Sequence, residues 1–116
     1  MDSGSIAGPN GGELYYDYPE VENTQAQITL PAAGLKRCWV LENVCYGFNQ
    51  TPMSAKALTI VIGADTMQVQ VSEAKRTSYG QELRTGANGT AVITLAADDS
   101  GAIGLLEVYC RKEWCP

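Results

Sequence analysis

The sequence predicts an all-β fold: a single small antiparallel β-sandwich, jelly-roll-like, with an extended N-terminal arm. Three observations carry this. Short runs of alternating apolar and polar residues recur from Ala26 onward, bounded by Gly, Pro, Asn or Asp. No helix-length run carries a convincing apolar stripe at helical spacing. The charge is split along the chain. Residues 1–35 hold Asp2, Glu13, Asp17, Glu20 and Glu22 with no Lys or Arg, whereas residues 36–116 balance eight acids with eight bases. The 116 residues therefore divide into an acidic, Tyr-rich arm over 1–24 and a sandwich domain over 25–116.

Each element has its own signature. Gly8-Pro9-Asn10-Gly11-Gly12 is turn and linker chemistry. Leu14, Tyr15, Tyr16, Tyr18 and Val21 follow it, too apolar for a freely solvated tail. They are the expected anchors of an arm that orders against a neighbouring subunit, the alternative being a disordered terminus. An arm folded back on its own sheet would instead add Leu14, Tyr16 and Val21 to the core. Gln27 to Leu30 starts the strands, and Pro31 ends that one. Arg37 to Tyr46 is a long β-rich run. As one uninterrupted strand it puts Cys38, Val40, Val44 and Tyr46 on one face and Trp39, Leu41 and Cys45 on the other.

Ala57 to Ile62 and Thr66 to Val71 form a hairpin around Gly63-Ala64-Asp65. Ser72 to Gly89 is the longest polar stretch, with room for one short strand near Gln81 to Arg84. Ala91 to Ala96 alternates, and Asp98 to Gly101 turns. Ile103 to Cys110 closes the domain, leaving Arg111 to Pro116 as a polar tail with Trp114.

Composition excludes several functions. The net charge of −5 argues against a general nucleic-acid binder, and the Lys-Arg pairs are too short for a phosphate track. No stretch approaches the roughly 18 apolar residues that span a membrane as a helix. Met1-Asp2-Ser3-Gly4 lacks the basic and apolar regions of a signal peptide, which implies synthesis in the cytoplasm. The cysteines Cys38, Cys45, Cys110 and Cys115 permit two disulfides in any of three pairings, or reduced thiols. Their spacing and the absence of His fit a zinc site poorly. No cofactor or metal is expected.

Nor does an enzyme emerge. Without His there is no His-based triad, and no base to activate a Cys nucleophile. No phosphate loop, dinucleotide fingerprint or nucleophile elbow is present, so no catalytic residue is expected. Asp98-Asp99 reads as turn chemistry, with the carboxylates accepting local backbone hydrogen bonds. The sequons at Asn49 and Asn88 read as chance matches.

Several segments occur in a telling order. Ile28-Thr29-Leu30-Pro31-Ala32-Ala33-Gly34-Leu35-Lys36-Arg37 precedes a hydrophobic strand, and Leu58-Thr59-Ile60 and Leu83 to Asn88 follow. Ala91 to Ala97 and Gly101 to Val108 close the series. Over residues 26–110 this order resembles small all-β virion proteins of tailed bacteriophages, which decorate capsids or occupy tail positions. The resemblance implies a capsid decoration, or cement, protein on the outer capsid surface. It would bind the major capsid protein through protein–protein contacts, as a homo-oligomeric dimer or trimer, with no nucleic acid or membrane partner. The alternatives are another virion component (a tail, neck or fibre-associated adaptor or host-binding module) and a cellular carbohydrate- or peptide-binding sandwich. In the last, Trp114 or the tyrosines would stack on sugar rings, Trp39 being expected in the core.

Overall fold

The computed structural model describes residues 2–7, 12–20, 23–98 and 101–116. Ten strands run β1 (Asp2–Ala7), β2 (Gly12–Tyr18), β3 (Ala26–Leu30), β4 (Arg37–Phe48), β5 (Lys56–Ile62), β6 (Asp65–Val71), β7 (Thr77–Ser78), β8 (Leu83–Arg84), β9 (Ala91–Leu95) and β10 (Gly104–Trp114). They build two sheets in which every pairing is antiparallel. The larger has the order β1-β2-β10-β4-β7, with β8 also on β4, and the smaller β3-β9-β5-β6. With β1 and β8 set aside, the chain passes between two four-stranded sheets in the order of a jelly roll. The expected all-β, jelly-roll-like sandwich is what the chain adopts.

The core lies between the sheets. Ala26, Ile28 and Leu30, then Leu58, Ile60 and Ile62, then Ala91, Ile93 and Leu95 point inward at every second position. Leu106 and Val108 of β10 meet them from the larger sheet. Trp39 is fully buried, as expected, and donates its indole N–H to the carbonyl of Pro31 at 2.7 Å. Between β5 and β6 the turn needs Gly63, whose φ is 59°.

Three expectations are corrected. The first is the extended arm. Residues 2–7 and 12–18 form a hairpin built into the larger sheet, and β2 pairs with β10 from Gly12–Arg111 to Asp17–Leu106. The reason is the edge of β10, whose backbone groups require a partner on that side. Tyr15 turns inward and meets Trp39 edge-on with ring centroids 5.9 Å apart. Leu14 and Tyr16 take the opposite face, so the phase differs from that expected of a folded-back arm. Val21 lies outside the described residues.

The second correction concerns β4. Tyr109 pairs with Asn43 but Cys110 pairs with Leu41, so Glu42 is an extra residue, a β-bulge. The bulge resets the alternation. Trp39 and Leu41 join Val44 and Tyr46 in the core, and Cys38, Val40 and Cys45 share the other face.

The third is the C-terminal tail. It is the end of β10, pairing with β4 as far as Trp114–Arg37.

Candidate functional site: the outer face of the larger sheet

Strand β10 alternates inward Leu106 and Val108 with outward Leu105, Glu107 and Tyr109. Register carries this outward set across four strands in one row and five in the next. Ile6, Leu14, Tyr109 and Asn43 form one cross-strand row, and Gly4, Tyr16, Glu107, Cys45 and Ser78 the next.

At the centre is Glu107, only 9% exposed. Tyr18 donates its phenol O–H to Oε2 of Glu107 at 2.6 Å. Arg76 forms a charge-assisted pair with Oε1. Burial, and then this bond to Glu107, push the Tyr18 phenol well above its ordinary pKa. Burial works against the charge on Arg76, but hydrogen bonding with Tyr109 and the Glu107 carboxylate raise its pKa overall. The Arg76 position depends on Gly47. A Cβ there would stand 3.0 Å from Cα of Arg76 and from the carbonyl of Lys75, so glycine lets that backbone cross the sheet closely.

Tyr109 is 39% exposed and stands between two grooves. One, about 270 Å³, is lined by Ile6, Glu13, Leu14 and Glu42. The other, about 370 Å³, is lined by Asn43, Cys45, Arg76, Thr77 and Ser78. Nearby, the Tyr16 and Tyr18 rings stack with centroids 5.1 Å apart and planes 26° apart. The face thus offers an exposed aromatic ring flanked by amide, hydroxyl and guanidinium groups. Such a set has the chemistry to orient a polyhydroxylated ligand. Both oxygens of Glu107 are engaged, one by Tyr18 and one by Arg76.

No protein-family model matches the chain, and no curated protein matches it. Three solved structures are similar in outline. One is a family 16 carbohydrate-binding module, at 11% identity over 96% of this chain and 84% of that one, with a TM-score of 0.46. A second is the CBM36-1 domain of a multidomain xylanase from the hindgut metagenome of Trinervitermes trinervoides. It is 17% identical over 100% of this chain and 88% of that one, with a TM-score of 0.39. A third is a CBM36 carbohydrate-binding module in complex with calcium and xylotriose, at 19% identity over 97% and 89%, with a TM-score of 0.37. The superpositions are loose.

The structure separates the residues singled out in the sequence. Tyr16, Tyr18 and Leu14 come together on the outer face, while Tyr15 serves the core. Burial first, then hydrogen bonding to Glu13, raises the Tyr15 phenol to about 12. Cys38 and Cys115 form a disulfide with Cα atoms 5.4 Å apart. Cys45 and Cys110 are free and buried. Burial first, then the charges of Glu13 and Glu42, push the Cys110 thiol up to about 12. Cys45 Sγ lies 3.7 Å from Ser78 Oγ. Among the described residues, no three His, Cys, Asp or Glu groups gather closely enough to hold a metal.

Asp98 differs from its expected turn role. It is 1% exposed, accepts the N–H of Met53 at 3.2 Å and pairs with Lys56 at 3.6 Å, so it ties two distant loops together. The amide oxygens of both sequon asparagines are occupied, Asn49 by the N–H of Ile103 and Asn88 by that of Gly34. Sequence reasoning missed Glu107, Tyr109, Arg76 and Asn43. The alternation of Leu105, Glu107 and Tyr109 within an apolar strand was the signal available.

Proposed function

We propose that the protein is a non-catalytic carbohydrate-binding β-sandwich, with the outer face of the larger sheet as its binding face. One observation carries this reading: a partly exposed Tyr109 between two grooves, beside the Arg76–Glu107–Tyr18 network. A sugar presents an apolar C–H face and a rim of hydroxyls. The first suits a fixed aromatic ring, and the second suits fixed charged and amide groups. Because Glu107 and Arg76 hold each other, they are pre-organised and lose little side-chain freedom on binding. The test is affinity electrophoresis against soluble glucan, mannan, xylan and chitin derivatives, comparing the wild type with Tyr109→Ala. Retardation by at least one polysaccharide, lost in the variant, supports the reading. Equal migration of both proteins in every gel refutes it.

A second reading has its own observation. β1 is an edge strand six residues long, paired on one side only among the described residues. Such an edge can take a strand from a neighbouring protein. This keeps a virion role as a proposal: decoration of a phage capsid, with the sheet edge in place of an arm. Co-sedimentation with mature capsids at a fixed ratio of hundreds of copies would support it. The absence of pelleting would remove it.

A further inference from the structure

At the far end of β10 the chemistry changes. The sequence contains eight Lys and Arg residues. Lys56, Arg76, Arg84 and Arg111 are all in ion pairs. Of the remaining four, Arg37 and Lys112 lie on the same side of the sheet as Trp114, and the exposed Lys36 precedes Arg37; none of the three has a carboxylate partner among the described residues. The Arg37 guanidinium stands 4.6 Å from the centroid of the Trp114 ring. Arg37 Nε has no hydrogen-bond partner among the described residues. Lys112 projects along the same side of β10, with Nζ 5.0 Å from the Trp39 ring.

Trp114 is 69% exposed, yet it is firmly held. It pairs with Arg37 in the strand register, and the next residue of each strand closes the Cys38–Cys115 disulfide. The N–H of Cys115 also donates to the carbonyl of Lys36 at 2.9 Å. A large indole is thus fixed open to solvent, with Arg37 against its ring, Lys112 on the same side of the sheet and Lys36 next in the chain, in a protein of net charge −5. Fixing costs entropy, and an exposed indole gains nothing from burial. The arrangement is suited to a ligand that supplies both an apolar ring face and a negative charge.

We infer that this end of the sandwich binds an anionic sugar, with its ring on Trp114 and its carboxylate or sulfate at Lys36, Arg37 and Lys112. The site is separate from the Tyr109 face. Four residues of β10 lie between Tyr109 and Trp114, five steps or about 17 Å of strand, and the two side chains point to opposite sides. A nucleic-acid strand fits less well. There is one stacking ring here rather than a series, and the acidic first third of the chain repels a continuous phosphate backbone.

The experiment is affinity electrophoresis of the wild type, Trp114→Ala, Arg37→Gln and Tyr109→Ala, with the fold of each checked by circular dichroism. The gels contain polygalacturonate, dextran sulfate, neutral dextran or poly-glutamate, and a fluorescent dT oligonucleotide is tested in solution. Retardation of the wild type by polygalacturonate, dextran sulfate or both supports the site, and which one does so identifies the anion. Affinity should fall about tenfold or more in Trp114→Ala and Arg37→Gln and be unchanged in Tyr109→Ala. Several results overturn the inference: no retardation by either acidic polysaccharide, equal retardation by poly-glutamate, tighter binding of the oligonucleotide, or a Trp114→Ala protein that behaves as the wild type. Because Tyr109→Ala is in the same series, failure of the Tyr109 reading and failure of this one are scored separately.

Discussion

The two sheets share one core but differ on their outward faces. On the smaller sheet that face carries Gln27, Thr29, Thr59, Gln68, Val92 and Thr94, and no outward position of its strands holds a charged residue or an aromatic ring. Its side chains bond across strands, Gln27 to Thr94 at 3.0 Å and Gln68 to Thr59 at 3.3 Å. It is a plain β-branched and amide ladder, suited to a pleated surface in water. The outward face of the larger sheet instead carries a nearly buried carboxylate paired with a half-exposed guanidinium, three tyrosines and two grooves. Stability needs only the first kind of face. The second places the Glu107 carboxylate where desolvation is costly, which folding alone does not require. The difference favours the larger sheet as the proposed binding face.

The largest expected effect comes from removing the hairpin that completes that sheet. Deleting residues 1–24 should abolish cooperative unfolding, a loss on the order of 5 kcal/mol, comparable to the whole stability of a small domain. The deletion uncovers the β10 edge and removes Tyr15 from Trp39. A sharp thermal transition near the wild-type temperature would contradict this placement of the hairpin.

Next in size is the network itself. Glu107→Ala should cost about 1–3 kcal/mol, because Tyr18 O–H loses its acceptor and Arg76 its counter-charge; the half-exposed Arg76 keeps the figure low. The matched change Thr94→Ala on the smaller sheet should stay within about 0.5 kcal/mol. Urea denaturation of the pair checks the contrast, and equal losses would erase it.

Cysteine chemistry sharpens the account without a mutation. Alkylation in denaturant without reductant should add two groups by intact mass, at Cys45 and Cys110, and reduction beforehand should raise the number to four. Four without reduction would remove the disulfide.

The smallest effect is on pH dependence. Tyr15, Tyr18 and Tyr46 all have raised pKa values, with burial the first cause in each. A folded pKa above the unfolded value of about 10 means that folding favours the neutral phenol. That contribution is full below about pH 10 and is lost as pH climbs through the folded values. Absorbance at the tyrosinate band should therefore show a late component that disappears in denaturant.

The sandwich was legible because period-2 alternation is strong wherever one face is buried, as in Ala26 to Leu30 and Ala91 to Leu95. The N-terminal strand was not, because Leu14-Tyr15-Tyr16-Asp17-Tyr18 places bulky groups on both faces and leaves no alternation to read. The bulge at Glu42 was equally hidden: nothing in its local composition signals an extra residue, and the faces assigned to Trp39 and Cys38 depended on it. The end of β10 looked like a tail because Arg111 to Trp114 is polar, and its partner Arg37 to Val40 is distant in sequence. The site shares this origin. Glu107, Arg76 and Tyr18 belong to three segments that only sheet register brings together.

The most direct test of the central claim is an NMR titration of the ¹⁵N-labelled protein with oligosaccharides from glucan, mannan, xylan and chitin. The account predicts saturable amide shifts confined to Asn43, Cys45, Thr77, Glu107 and Tyr109 and their neighbours, with Thr59 and Thr94 unmoved. Shifts centred on the smaller sheet, or none with any oligosaccharide, would contradict it.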